Sequence, residues 1–413
     1  MKSYIEISKC RICGSSDLKK ILSLGEQTLT GVFPKSNHEQ ISNGPLELMW
    51  CEQCSLVQLK QSYSLSEMYG DNYGYHSSLN LSMANHLINK VRFLERLSFL
   101  SSGDIVLDIG SNDGTLLNAY EIPGLKKIGV DPTAEKFREH YSKDIQLISE
   151  FFPSSKLNDF LSDNKAKIIT SIAMFYDLED PKDFVKSIVN NLHDEGIWHF
   201  EQHYLPSMLR TNAYDSICHE HLEYYSLQTI MPLLYEFKLK IIDVQINDIN
   251  GGSFAVTVCR SDCNKYNENK VVVDWLLDQE DRMGLRTPNP YLELEKRISD
   301  HRFHLKQLIS SLNKDGKKII GYGASTKGNV LLQFCGITVE EVPYIAEINE
   351  DKFGRITPGT HIPIISEEEA HKIKPDYFLV LPWHFKNNIL QRENDYINRG
   401  GKFIFPLPYI EII

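Results

Sequence analysis

Cys10-Arg-Ile-Cys13 and Cys51-Glu-Gln-Cys54 are two C-x2-C pairs near the start of the chain. Each pair sets two thiolates on one tight turn. Together they offer four soft ligands to a single tetrahedral ion, the donor set of a structural Zn2+ site. The ligand pairs are separated by residues 14–50, so the ion would staple a long segment with little core of its own. A closed four-cysteine site does no chemistry, and the reactive groups must lie elsewhere.

Titratable groups concentrate in Cys218-His219-Glu220-His221-Leu-Glu223-Tyr224-Tyr225, downstream of Glu201-Gln202-His203-Tyr204. The spacing is not the H-E-x-x-H of a zinc protease. In extended chain His219, His221 and Glu223 share one face, which suits a second metal. A histidine oriented by a carboxylate suits general acid/base work near neutral pH. A satisfied structural cluster is the third reading. The acid/base role is the one we carry forward.

Two glycine turns could hold ligands. In Val106-Leu-Asp108-Ile-Gly110-Ser-Asn112-Asp113-Gly114-Thr a strand runs into a G-x-x-x-G turn and then a helix. That is not the G-x-G-x-x-G of a dinucleotide site. The next strand ends at Asp131, where an acid can accept ribose hydroxyls. Acids without a phosphate cradle favour a cationic nucleoside, and S-adenosylmethionine (SAM) is one. The second turn is Gly321-Tyr-Gly323-Ala-Ser325-Thr326-Lys327-Gly-Asn329. Backbone N–H groups at a helix start, two hydroxyls and a lysine suit a phosphate or diphosphate. Lys352, in the turn-rich segment after the following strand, faces the same crevice in this reading.

These turns need rigid elements to position them. From residue 104 onward the pattern alternates strand and helix, which predicts a doubly wound sheet with an antiparallel pair at its end. A helix is predicted over 79–97, a polar linker over 261–270 and a long amphipathic helix over 289–312. A second α/β pattern starts at residue 317. The chain has 413 residues, a net charge of -11 and a pI of about 5.7. No basic patch suggests nucleic acid. No apolar run approaches the roughly 20 residues that span a bilayer, and the N-terminus lacks a signal-peptide core. A cytoplasmic monomer is expected, with no membrane or nucleic-acid partner.

Taken together, these segments resemble the three-domain nucleotide-sugar C-methyltransferases, which add a branch methyl to deoxysugars. The four cysteines, the Asp-Ile-Gly-Ser-Asn-Asp-Gly turn, the His-Glu-His segment and Gly-Tyr-Gly-Ala-Ser-Thr-Lys-Gly-Asn all match, and Tyr73-Gly-Tyr75-His-Ser-Ser78 resembles a segment that closes over the active site. The resemblance spans essentially the whole chain. It implies a zinc-binding domain at 1–73, a central Rossmann-like SAM-dependent methyltransferase domain at 74–262 and a C-terminal Rossmann-like α/β domain at 263–413. It also implies a nucleotide-diphosphate sugar as substrate, usually a 4-keto-6-deoxy sugar. A base removes the C3 proton, and the enolate carbon attacks the SAM methyl.

The resemblance puts the base at His221, with Glu220 beside it and His219 and Tyr75 as further catalytic candidates. SAM is expected at Asp108, Gly110, Asn112, Asp113, Gly114 and Asp131. Substrate is expected at Ser78, Tyr225, Gly323, Ser325, Thr326, Lys327, Asn329 and Lys352. The chain departs from antibiotic-pathway members in two places. Cys218 stands where they carry tyrosine before His-Glu-His, and Met174-Phe-Tyr-Asp177 stands where they carry a histidine. An O- or N-methyltransferase on a related sugar, and a non-catalytic zinc-bearing binding protein, are the competing readings.

Overall fold

The computed structural model describes residues 4–69 and 76–413. Tyr75, with Tyr73 and Gly74 of its segment, lies outside the described residues. The strands in chain order are β1 (Tyr4–Glu6), β2 (Leu18–Thr28), β3 (Asn43–Cys51), β4 (Val57–Leu59) and β5 (Gln61–Tyr63), then β6 (Ile105–Ile109), β7 (Lys126–Val130), β8 (Ile145–Ile148), β9 (Ala166–Ile172) and β10 (Leu192–His203). They continue with β11 (Glu223–Tyr224), β12 (Leu239–Asn247), β13 (Ser253–Arg260), β14 (Ile319–Tyr322) and β15 (Ile345–Glu347). The last four are β16 (Ile364–Ser366), β17 (Tyr377–Val380), β18 (Lys402–Phe405) and β19 (Glu411–Ile412).

The central sheet has seven strands in the order β12-β13-β10-β9-β6-β7-β8. Five run parallel, and β13 lies antiparallel between β10 and β12. The expected antiparallel pair is therefore present. It arises because β12 and β13 are joined by a short turn, which permits only antiparallel pairing. The parallel strands β6 and β9 are buried along almost all of their length, as strands covered on both faces are. The preceding helix, Leu81–Ser98, buries Met83, Leu87, Val91 and Leu94 and is capped by Asn80 Oδ1 accepting from Ser82 N at 2.9 Å. Such a side-chain cap satisfies one of the otherwise orphaned N–H groups at a helix start.

The C-terminal sheet has six strands in the order β16-β15-β14-β17-β18-β19, all parallel except β19. The linker expected over 261–270 is irregular up to the helix Lys270–Arg282, and the long helix runs Asn289–Lys314.

The N-terminal sheet runs β11-β4-β3-β2. Its last strand, β11, comes from the His-Glu-His region and pairs antiparallel with β4 through Glu223 and Gln58. The zinc-binding segment is wedged between the other two units. Cys10, Ile12, Cys51 and Leu56 share a core with the methyltransferase sheet. Leu22, Leu24, Leu46, Leu48 and Trp50 share a core with the C-terminal sheet and its helices. Trp50 meets Tyr291 of the long helix at 6.3 Å between ring centres. Among the described residues, no helix is long and apolar enough to cross a membrane.

Candidate active site

The four N-terminal cysteines converge. Cys10 and Cys54 sulfurs are 3.6 Å apart, Cys13 and Cys51 sulfurs 3.5 Å, and all four lie within 4.8 Å of one another. A tetrahedron with metal–sulfur bonds of about 2.3 Å has sulfur–sulfur edges of about 3.8 Å, so the cage fits zinc. The thiols cannot all ionise unaided. The hydrogen bond from Cys54 holds Cys10 down at about 4, whereas burial pushes Cys51 up to about 11. A cation among them resolves the conflict.

The first glycine turn leaves β6 with Gly110 at φ +75°, Asn112 at +48° and Gly114 at +77°. The left-handed conformation explains both glycines. A Cβ on Gly114 would lie 2.7 Å from Tyr141, and one on Gly110 would lie 3.0 Å from Met174. Asp131 ends β7 and organises this turn. One carboxylate oxygen accepts from Asn112 N at 2.9 Å, and the other accepts from Thr133 N at 2.6 Å and Thr133 Oγ1 at 2.7 Å. A carboxylate offers about four acceptor positions, so capacity remains for a ribose hydroxyl.

Asp113 accepts from Ser78 N at 2.8 Å, and Asn112 Oδ1 accepts from Ser77 N at 3.0 Å. Ser78, expected at the sugar, has its backbone N–H on Asp113 of the first glycine turn. Asp108 lies beneath, accepting from Thr170 Oγ1 at 2.6 Å, with burial raising its carboxyl to about 7. An acid at the β7 end and a turn without a phosphate cradle fit SAM.

His219, Glu220 and His221 separate in space. His219 is fully buried: Nε2 donates to Gln27 O at 3.2 Å, and Nδ1 accepts from Thr30 Oγ1 at 3.3 Å and Thr30 N at 3.4 Å. Tyr63 packs edge-on against it at 4.6 Å. Both ring nitrogens are satisfied, so His219 is a strut to the zinc-binding segment and not a proton carrier. His221 points the other way. Its Nδ1 lies 2.7 Å from Ser216 O. A carbonyl only accepts, so Nδ1 carries the proton and Nε2 presents a lone pair. Burial and the charge of Lys327 lower His221 to about 3, so the ring is neutral near pH 7. Tyr176 steadies it edge-on at 4.3 Å.

Glu220 lies against Gly31 of the zinc-binding segment and Thr326 of the second turn. One of its oxygens has no partner, and burial raises its pKa. Cys218, hydrogen-bonded to it, is raised by burial too. Tyr225, expected at substrate, is a core residue stacked on Phe175 at 5.3 Å. The chain turns into a helix directly after β11, and this puts Tyr225 under the sheet.

The second turn also differs from expectation residue by residue. Ser325 caps its helix, accepting from Gly328 N at 3.0 Å. Asn329 donates to Thr30 O at 2.7 Å and so ties this helix to the zinc-binding segment instead of to ligand. Gly323, at φ +83°, lies where a Cβ would be 2.6 Å from Pro382. Lys352 donates to Ala324 O at 2.8 Å, directly under the turn. Lys327 does not face outward as a phosphate ligand. Its ammonium donates to Asn250 O, the same carbonyl that accepts from His203 Nε2 at 3.2 Å.

Three residues outside the expected site set lie close to Lys327 or Glu220. His384 follows β17, and its Nδ1 is unpartnered. Asp215 accepts from Trp383 Nε1 at 2.8 Å and keeps one oxygen unpartnered. Asp177 is half-buried, accepts from Tyr69 OH at 3.1 Å and keeps its other, buried oxygen unpartnered. Asp177 lay within the departure at 174–177, which was the one available signal.

Three family profiles match in tandem. A zinc binding domain covers residues 10–69, a methyltransferase domain 83–244, and a C-methyltransferase C-terminal domain 248–408. Together the three matches span most of the chain and give it the domain makeup of a C-methyltransferase. The C-methyltransferase NovU of Streptomyces niveus is 29% identical over 412 residues, covering 98% of this chain and 97% of its own. Two solved structures overlap 43% of the chain. One is the plantazolicin methyltransferase BpumL in complex with SAH, at 14% identity, 84% of its chain and TM-score 0.35. The other is an S-adenosylmethionine-dependent methyltransferase from Clostridium acetobutylicum, at 16% identity, 90% of its chain and TM-score 0.32. This C-methyltransferase is a SAM-dependent enzyme with a structural zinc ion, and the two donor sets described above fit both cofactors.

Proposed function

We propose that this C-methyltransferase methylates C3, next to the ketone of a nucleotide-diphosphate-linked 4-keto-6-deoxy sugar, with His221 as the base. The single observation that carries the reading is the Ser216 carbonyl on His221 Nδ1, which leaves Nε2 as a proton acceptor. A heteroatom nucleophile would need a milder base. A carbon nucleophile must first be deprotonated, and a positioned base contributes roughly 10^2–10^4-fold.

Bound SAM supplies an electrophilic methyl on a sulfonium. The chain aligns it: Asp131 takes a ribose hydroxyl, the Gly110–Gly114 turn supports the methionine end, and the Ser77–Ser78 backbone closes above. The nucleotide diphosphate lies against the Gly323–Thr326 turn, with Lys352 beneath. Glu220 borders the sugar between Gly31 and Thr326. Wedging of the zinc-binding segment between both units excludes water from this chamber.

The test uses a panel of keto nucleotide sugars with deuterium at C3, followed by product mass. Wild type should lose the label and gain one methyl. His221→Asn should lower kcat by at least about 100-fold with SAM affinity unchanged. Methylated product that retains its C3 deuterium would place the methyl on a heteroatom and overturn the proposal.

A further inference from the structure

The base and its surroundings leave one charge without a stated use. Removing a proton next to a ketone puts negative charge on oxygen, and an electrophile there is usually the larger part of catalysis. In an α-keto carbon acid, the oxygen lies only about two bonds from the carbon that loses its proton. The electrophile must therefore share a chamber with the base. Lys327 does so. It sits in the first turn of the helix Thr326–Cys335, which packs against residues 214–216, and Ser216 O is the anchor of His221. Its ammonium and His203 Nε2 meet on one carbonyl, Asn250 O.

The chamber is built for a polar occupant. His203 is more than nine-tenths buried, with Nδ1 unpartnered, and Asp215 is 1% exposed with one oxygen unpartnered. Unpaired polar atoms buried this deeply are rare in folded proteins and call for a ligand or water. Lys327 also acts through its charge on His203, His221, His384 and Asp215. Lys352, the half-buried lysine near the second turn, is turned under Ala324 O and over the Phe33 ring.

We infer that Lys327 is a catalytic residue, the hydrogen-bond donor to the ketone oxygen of the substrate as that oxygen becomes an enolate. The inference rests on the keto-sugar reading above. His221 Nε2 takes the proton. The C–H pair becomes the C=C bond, and the carbonyl π pair moves onto oxygen, where Lys327 donates to it. Lys327 keeps its own proton. The oxygen pair returns to re-form the ketone as the C=C pair makes the new C–CH3 bond; the S–CH3 bond of SAM breaks with its pair left on sulfur, S-adenosylhomocysteine leaves, and His221 later yields its proton to water. The enolate then lies between two cations, His221 and Lys327.

The experiment measures C3 exchange separately from methylation. Enzyme, S-adenosylhomocysteine and the accepted keto nucleotide sugar are incubated in D2O, and C3 deuteration is followed by NMR. Nucleotide-sugar affinity is measured by calorimetry. Wild type should exchange. Lys327→Met should slow both exchange and methylation by 10^2–10^3-fold, the loss typical of one oxyanion donor, with affinity changed less than threefold. Lys327→Arg should recover part of both rates, and melting temperature and zinc content identify any variant that fails to fold.

A phosphate contact gives the opposite split: affinity falls tenfold or more, and exchange returns at saturating sugar. That result, or normal exchange in Lys327→Met, overturns the inference while leaving the keto-sugar reading intact. Product formed by wild type without any C3 exchange or isotope effect overturns that reading itself.

Discussion

At the residue scale, backbone carbonyls fix the protons of the side chains proposed to carry the chemistry. Ser216 O selects the tautomer of His221, and Asn250 O holds both Lys327 and His203. Asp131 shows the same economy on the cofactor side. It was expected only as a ribose ligand, yet three donors from Asn112 and Thr133 already reach it. It organises the turn before it meets a ligand. Asp131→Ala removes a charged acceptor and frees the turn, so SAM binding should weaken by about 1.5–3 kcal/mol. Calorimetry giving an unchanged Kd would show that the acid is not part of the nucleoside site.

At the element scale, the site is assembled from ends of strands and first turns of helices, where backbone groups are unpaired and side chains converge. The zinc-binding segment contributes an element that its own motif does not announce. Gly31 follows β2, and a Cβ there would strike the carboxylate of Glu220. That carboxylate is the far end of a flexible side chain, so it can swing aside. Gly31→Ala should therefore displace Glu220 while leaving the melting temperature within a few degrees of wild type. Turnover should fall by tenfold or more with SAM affinity retained. Full turnover in this variant would mean that the position of Glu220 is immaterial.

At the scale of the whole molecule, the zinc-binding segment is the joint. His219, Asn329 and Gln333 fasten it, through Gln27, Thr28 and Thr30, to the methyltransferase and C-terminal units. His219 couples that joint to pH. Burial lowers its pKa from about 6.5 to about 3 in the fold. The unfolded chain binds the proton more readily, so stability is fully present above about pH 6.5 and is lost as pH falls toward 3. Each proton contributes a slope of about 1.4 kcal/mol per pH unit. His219→Gln should flatten the decline in melting temperature between pH 6.5 and 4 relative to wild type. An unchanged slope would mean that His219 titrates normally in the fold.

The sequence by itself determined what is local in the chain. Two C-x2-C pairs specify a metal cage because each ligand pair occupies one turn. Strand–glycine–helix patterns specify both α/β units because periodicity and φ > 0 positions are properties of short segments. The tandem order of the three units was legible for the same reason. Tertiary structure decided what depends on contacts between distant residues. His219 and His221 are two apart, so extended chain would place them on one face, yet a tight turn sends one to Gln27 and the other to Ser216. Tyr225 and Asn329 look like ligand contacts in their motifs, but packing makes one core and the other a bolt between units. Lys327 lies 77 residues from Asn250 in the chain. No local pattern could reveal that its charge belongs beside the base, because burial and hydrogen-bond partners are set only when the three units close on one another.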